Sequence, residues 1–358
     1  MDTRTETKTY HVTGLMSGTS LDGLDLACCT FSYDGGIWNW RILRAETLPY
    51  PAAWKERLEN MQYLSGRELI QGHVDYGHYL GQAVRDFLES HRLPCDLVSS
   101  HGHTIFHRPD RGYTFQAGEG SAIAAECGRP VVSDLRSGDV ARGGQGAPLV
   151  PLGDRLLFGE YGACLNIGGF ANLSFEQEGK RIAYDICPVN KVLNPLAQRM
   201  GLEYDRDGEV AAGGSRISGL LETLDRLGYY AAPTPKSLGE EWLRENIDPL
   251  LIPHHDRLND LMHTLVLHMA GQIARAIAGS GAVKVLATGG GVYHRLLLEQ
   301  IRKGCSAGII LPSDELVQFK EALVFALLGL LRYRGEDNVL ASVTGAGAGH
   351  PSGALHLP

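Results

Sequence analysis

Three things are scarce in this 358-residue chain: basic charge in surplus, apolar runs of membrane-spanning length, and cysteines in C-x-x-C spacing. Lys and Arg number 33 against 41 Asp and Glu, a net charge of −8, and no basic cluster stands out. No nucleic acid and no membrane is therefore expected as a partner. The opening MDTRTETKTYH is polar and has no apolar stretch of the signal-peptide kind, which argues for a cytoplasmic protein. Seven cysteines make an odd number, and Cys28 and Cys29 are neighbours on an expected strand, pointing to opposite faces. Buried free thiols are expected, with neither a disulfide framework nor a zinc site. The strand-to-helix phosphate loop G-x-x-x-x-G-K-[ST] is also missing.

What is present is organised around residues 10–30, YHVTGLMSGTSLDGLDLACCT. Residues 11–16 read as a strand entering the turn Ser17-Gly18-Thr19-Ser20, and residues 24–29 as a strand leaving it. Glycine lets backbone approach a ligand where a Cβ would collide, and successive amides there can point at phosphate oxygens. Thr19 and Ser20 add hydroxyl donors, while Asp22 and Asp25 suit a hydrated cation. The stretch fits a phosphate-cradling hairpin and, equally, an ordinary glycine hairpin.

The length implies two domains. Residues 37–47 read as a third strand and 52–61 and 66–91 as helices, the second with an apolar face of helical spacing. A short strand at 96–100 enters SHGHTIFHRP, where His101 and His103 would face opposite sides of an extended chain with no carboxylate or cysteine beside them, an arrangement that argues against a metal. Strands are expected at 113–117 and 130–135, a helix at 120–127. Asp134 and Arg136 fall at a strand's carboxyl end, where α/β folds tend to place ligand-facing residues. Residues 142–149, RGGQGAPL, fit a domain linker or a substrate loop. The pattern of the N-terminus returns in ACLNIGGFANLSF, again strand, Gly-Gly turn, strand, which suggests a second lobe of related topology. A strand at 181–186 carries Asp185 at its end, just before Pro188 and a helix to residue 200, so a helix N-cap is a competing role for it. Residues 256–279 form the clearest helix. A strand at 282–287 runs into Thr288-Gly289-Gly290-Gly291 and a helix at 293–303, a junction that alone is weak as a nucleotide site. Residues 319–333 read as a buried helix, 345–358 as a small-residue tail.

The order of these segments matches the phosphate-1, phosphate-2 and adenosine segments of the sugar kinase, actin and heat-shock ATPase superfamily. Within it the chain closely resembles the anhydro-N-acetylmuramic acid kinase family, through MSGTSLDGLD (16–25), SHGHTIFH (100–107), FQAGE (115–119), VVSDLRSGDVARGGQGAPLVP (131–151), LNIGGFANLS (165–174), EYDRDG (203–208), PKSLGEEW (235–242), TGGG (288–291), EALVFALL (321–328) and SVTGA (342–346). The resemblance implies a two-lobed actin-like ATPase of α/β class, ribonuclease H-like in each lobe, with a central ligand cleft. One lobe would comprise residues 1–135 plus 340–358, the other 136–339. It implies a kinase that opens the bridge of a 1,6-anhydro amino sugar with water and phosphorylates the freed 6-oxygen from ATP and Mg²⁺, in peptidoglycan recycling. By position, Gly18, Thr19, Ser20, Leu21, Asp22, Gly23, Leu24 and Asp25 would hold ATP phosphates, with Asp22 reaching the metal through water. Gly168 and Gly169 would contact phosphate, Gly289, Gly290 and Gly291 would flank adenosine, and Thr104, Asp134 and Arg136 would face the sugar. Asp185 takes the catalytic-base position.

The chain departs from that family at several points. The usual YDTGPGN, with an Asp four residues on, reads Tyr184-Asp-Ile-Cys-Pro-Val-Asn190 with Asn194; HGQT reads His101-Gly-His103-Thr104; and His294 replaces an Asn. Cys187 and Val189 are expected to put side chains where the family keeps backbone open. A paralogous kinase for a different sugar, or an ATP-binding module without catalysis, are the rival readings. A homodimer is the expected oligomer, with a helical surface at residues 229–238 a candidate contact.

Overall fold

In the computed structural model, which describes residues 8–18 and 21–358, contacts divide the chain into two compact units, Met1–Leu157 with Phe319–Pro358, and Phe158–Gln318. The first is built on a six-stranded sheet. β1 (Thr9–Ser17), β2 (Gly23–Asp34) and β3 (Ile37–Pro49) form an antiparallel meander. β4 (Leu97–Ser100) runs parallel to β1, and β7 (Val131–Ser133) parallel to β4. The order is β13-β7-β4-β1-β2-β3, with β13 (Ala354–His356) antiparallel at the edge, and β5 (His103–Arg108) and β6 (Tyr113–Ala117) form a separate hairpin.

The helix Gly66–Ser90 begins with a capping box, Ser65 and Glu68 satisfying each other's backbone amides. Its apolar stripe of Tyr76, Leu80, Val84 and Phe87 packs with Leu15, Leu24 and Leu26 of the meander. Gly14 on β1 lies against the helix Asp314–Tyr333 so closely that a Cβ there would overlap the Ala322 carbonyl.

In the second unit β8 (Ala163–Ile167), β9 (Phe170–Gln177) and β10 (Lys180–Pro188) repeat the meander. β11 (Lys284–Thr288) runs parallel to β8, and β12 (Gly308–Ile310) parallel to β11. The order β10-β9-β8-β11-β12 copies β3-β2-β1-β4-β7 strand for strand, in direction as in sequence. This ribonuclease H-like order, occurring twice, makes the chain an α/β protein of the actin-like ATPase class. The helix Leu258–Ser280 supplies Leu261, Leu265, Met269 and Ile273 to the core beneath.

The structure corrects several expectations. The unit boundaries differ from 135/136 and 339/340. The helix Val150–Leu157 belongs to the first unit, with Gly153 against Val324 and the Trp40 indole bonded to the Leu157 carbonyl at 3.3 Å. Most of the helix Asp314–Tyr333 joins it for the same reason, its contact with β1. The tail contains β13, paired with β7. Residues 229–238 hold only a four-residue helix, Gly228–Ala231, followed by irregular chain.

Candidate active site

In the first unit the parallel strands β1, β4 and β7 end together, and the chain leaving them carries the expected residues. Gly18 follows β1 and accepts from the Leu21 amide at 3.2 Å, closing the turn; Thr19 and Ser20 lie outside the described residues. Leu21 has φ 57°, a left-handed conformation unusual for its type. Asp22 is exposed, Gly23 and Leu24 open β2, and Asp25 accepts from the Thr47 hydroxyl at 2.6 Å. Burial pushes the Asp25 carboxyl upward, with the Asp22 charge adding to the rise and the Thr47 bond opposing it.

Beyond β4, the His101 Nδ1–H donates to the Gly102 carbonyl at 2.8 Å. Its Nε2 accepts from the Arg136 guanidinium, whose Nη1 donates to the Gly146 carbonyl at 2.7 Å. Arg136 therefore has both ends of its fork fixed from within the protein. Burial draws it down to about 10, with Glu321 opposing, so it stays a cation at neutral pH. Asp134, at the end of β7, is exposed and holds φ 53°, a strained backbone of the kind that gathers at ligand sites. Thr104 pairs with Gln116 across β5 and β6. Residues 142–149 fold back on the buried Asp139, which accepts from the Gly146 amide at 2.7 Å and the Thr344 hydroxyl at 2.9 Å. That loop buttresses Arg136 through Gly146.

In the second unit β8 and β11 end side by side, Asn166 opposite Thr288. Gly168 and Gly169 therefore come next to Gly289, Gly290 and Gly291. A Cβ at Gly289, where φ is 85°, would overlap Asn166 and Ile167, and one at Gly291 would overlap Ile167. The carbonyls of Gly168 and Gly169 accept from the amides of Asn190 and Val189 at 3.2 and 2.8 Å, which ties the turn to the helix Asn190–Gln198.

Asp185 sits on β10 at a bulge, where register shifts between Asp185 and Cys187. The strand runs on to Pro188, so Asp185 lies inside it and not at its end. Its Oδ2 accepts from the Leu238 amide at 3.0 Å. Burial raises the affinity of this carboxyl for a proton, and the Leu238 bond only partly offsets that. A carboxylate moved up toward neutrality is suited to act as a base. Residue 189, not 185, precedes the helix, and no side chain caps it.

Reasoning from sequence missed His101, Glu321, Tyr229, Lys236 and Leu238. Glu321 had a visible signal, an acid directly before the apolar run ALVFALLGLL; its carboxyl is raised by burial while Lys320 and Arg136 pull it down. The roles of Tyr229 and Leu238 depend on long-range contacts that spacing does not encode.

Residues 10–357 match the family model of anhydro-N-acetylmuramic acid kinase. The chain belongs to the anhydro-N-acetylmuramic acid kinase family. Curated relatives of that name include one from Bordetella parapertussis, 35% identical with 99% of this chain and 100% of the relative covered. Another, from Synechococcus, is 32% identical over 94% and 96%, and one from Streptomyces coelicolor is 34% identical over 94% and 90%. Among solved structures, a ROK family glucokinase from Streptomyces griseus aligns with a TM-score of 0.38 at 13% identity, covering 89% of this chain and 99% of that one.

The departures from the family motifs now have physical descriptions. Cys187 and Val189 are both 0% exposed, packed into the second unit's core with Leu193. Their side chains thus lie in the core, contrary to the expectation that they intrude on open backbone. His294 caps the helix Arg295–Gly304, its Nδ1 accepting from the Leu297 amide at 3.3 Å, a task to which Asn is equally suited. His103 meets the first hairpin, its Nδ1 at 2.9 Å from the Ser17 hydroxyl, which also accepts from Tyr50 at 2.8 Å. Asn194 is half-buried on the helix Asn190–Gln198.

Proposed function

We propose that the protein is an ATP-dependent kinase that opens 1,6-anhydro-N-acetylmuramic acid with water and phosphorylates its 6-oxygen, giving N-acetylmuramic acid 6-phosphate in peptidoglycan recycling. The observation that carries the reading, in a chain of this family, is the Asp185 carboxylate. One oxygen is fixed by an amide, the proton affinity is raised by burial, and the residue stands in the unit that bears the paired glycine turns.

In this reading Asp185 takes a proton from water as its oxygen bonds to the anomeric carbon. The bond from that carbon to the bridging 6-oxygen breaks, and the 6-oxygen bonds to the γ-phosphorus while the bond to the ADP oxygen breaks. Arg136, Asp134 and Thr104 orient the sugar. Gly18 to Asp25 hold the ATP phosphates and Gly168 with Gly169 contact phosphate, while Gly289 to Gly291 leave room for adenosine. Phosphoryl transfer needs alignment and charge neutralisation above all. Mg²⁺ supplies neutralisation when bound with ATP. Exposed Asp22 fits it through water, whereas Asp25 is already engaged by Thr47.

A second reading, a kinase of the same fold for another sugar, is favoured by His103 beside Thr104 and by Asn194 in an acidic position. Mass spectrometry after incubation with ATP, Mg²⁺ and 1,6-anhydro-N-acetylmuramic acid in ¹⁸O-water separates the two. A phosphorylated, ring-opened sugar with label at the anomeric carbon supports the first. Intact nucleotide binding with no such product, and phosphorylation of other amino sugars, supports the second.

A further inference from the structure

The backbone of Asp185 is held by a segment distant in sequence. At the bulge in β10 the ladder to β9 is interrupted, and residues 229–238 take over. The Asp185 amide donates to the Lys236 carbonyl at 3.3 Å. The Tyr229 hydroxyl donates to the Asp185 carbonyl at 2.5 Å. The Leu238 amide reaches the carboxylate itself at 3.0 Å. Amide, carbonyl and side chain of one residue are thus all bound by a stretch of ten residues that forms no regular element beyond a single helical turn.

Such a stretch needs its own anchor, and Lys236 provides it. Its ammonium donates to the Tyr229 and Tyr230 carbonyls at 3.0 and 3.4 Å, in the helix Gly228–Ala231, where the Tyr229 carbonyl also accepts from the Ala232 amide at 3.2 Å. It also lies 4.7 Å from the centre of the Tyr229 ring and 5.7 Å from that of Tyr184, the residue before Asp185. Its partners are carbonyl dipoles and ring faces, which makes it a pin between β10 and the segment. The other side of the turn is fixed in the core. The Tyr230 hydroxyl donates to Nε2 of His268 at 2.9 Å, and the His268 Nδ1–H donates to Asp225 at 2.6 Å. His268 is only 2% exposed on the helix Leu258–Ser280.

We infer that Lys236 is a positioning residue for the catalytic base: it locks the turn at Tyr229 and Tyr230 so that the Tyr229 hydroxyl and the Leu238 amide hold the Asp185 carboxylate in one place. This rests on the reading of Asp185 as the base. The ionisable groups around that carboxylate are Tyr184 and Cys187 on its own strand, Tyr229 on the short helix, and Lys236 itself.

The test compares the full-length wild type with Lys236→Met, Lys236→Arg and Asp185→Asn. In steady-state kinetics Lys236→Met lowers kcat by about 10²-fold, the size of effect that a misplaced reacting group produces, while KM for ATP stays put. Its acid limb rises by about one pH unit as the Leu238 amide donor withdraws. Lys236→Arg, which still offers donors to both carbonyls, recovers most of the loss. Independently of turnover, ¹³C NMR titration of the aspartate carboxyls, with Asp185 assigned by its disappearance in Asp185→Asn, shows its pKa higher in Lys236→Met than in wild type. An unchanged Asp185 titration in a folded Lys236→Met protein overturns the inference, whether or not the enzyme turns over. An active Asp185→Asn overturns instead the reading of Asp185 as base.

Discussion

Arg136 donates from both Nε and Nη2 to a single atom, Nε2 of His101, at 3.1 and 2.8 Å. His101 keeps its proton on Nδ1, facing the Gly102 carbonyl, and burial holds the ring far below its ordinary titration range, with the Arg136 charge adding to the effect. A neutral imidazole therefore aims a guanidinium. A lysine has the charge without the fork. Arg136→Lys is expected to weaken sugar binding by about 1.5–3 kcal/mol, the worth of hydrogen bonds to a charged group. ATP binding, read by calorimetry, should stay unchanged; equal losses for both ligands would refute the assignment of Arg136 to the sugar.

His103 predicts an acid-sensitive fold. Burial lowers its pKa from 6.5 to about 4, so the unfolded chain takes up a proton at higher pH than the folded one. Stability is whole above pH 6.5 and falls as pH drops toward 4, by on the order of 3 kcal/mol at most from this group. Replacing it with Gln, the residue of the family motif, should flatten that part of the stability curve measured by urea unfolding. The same slope in His103→Gln would show that other groups carry the acid sensitivity.

The glycines show how much of this was legible in the sequence. Gly18, Gly168, Gly169 and Gly289 to Gly291 could be read as turns because strand patterns flank them, and the doubled meander could be inferred from their repetition. The helix expected at 66–91 was legible from its apolar spacing, and it spans Gly66–Ser90. Asp185 could be placed on a strand, but its bulge, and the segment that holds it, come from contacts between residues about fifty positions apart, Leu238 with Asp185 among them. Cys187 looked like an intrusion because the motif reads one residue at a time, whereas the fold turns that side chain into the core. β13 was hidden in a tail rich in small residues because its pairing with β7 is set by tertiary context.

Gly14 is a packing glycine with a steep cost of change. Any side chain there meets the backbone of the helix Asp314–Tyr333 at Ala322 and Ala326, which cannot yield like the end of a flexible side chain. Gly14→Ala is expected to destabilise by about 1–3 kcal/mol or more through forced separation of helix and sheet. A thermal midpoint within a degree of wild type would show that the helix can shift freely.

Asp185 itself should cost stability in exchange for chemistry. Its carboxyl has a raised proton affinity, because burial disfavours the charged form. A raised folded-state pKa means that the folded protein binds a proton more readily than the unfolded one, so this group favours folding at acid pH and that advantage is lost as pH rises through the folded value. At neutral pH the charged carboxylate sits where the fold would prefer a neutral group. Asp185→Asn keeps an oxygen to accept from the Leu238 amide while removing the charge. It is expected to abolish phosphoryl transfer and to raise stability at pH 7 by about 0.5–2 kcal/mol, the usual scale when a functional strain is relieved. The gain should shrink as pH is lowered below the carboxyl's titration, since wild type then carries a neutral group as well. Denaturant curves of the two proteins at neutral and acid pH check the sign. A destabilised Asp185→Asn at pH 7 would mean that the carboxylate is a structural anchor for the 229–238 segment and not a charge held there against the preference of the fold.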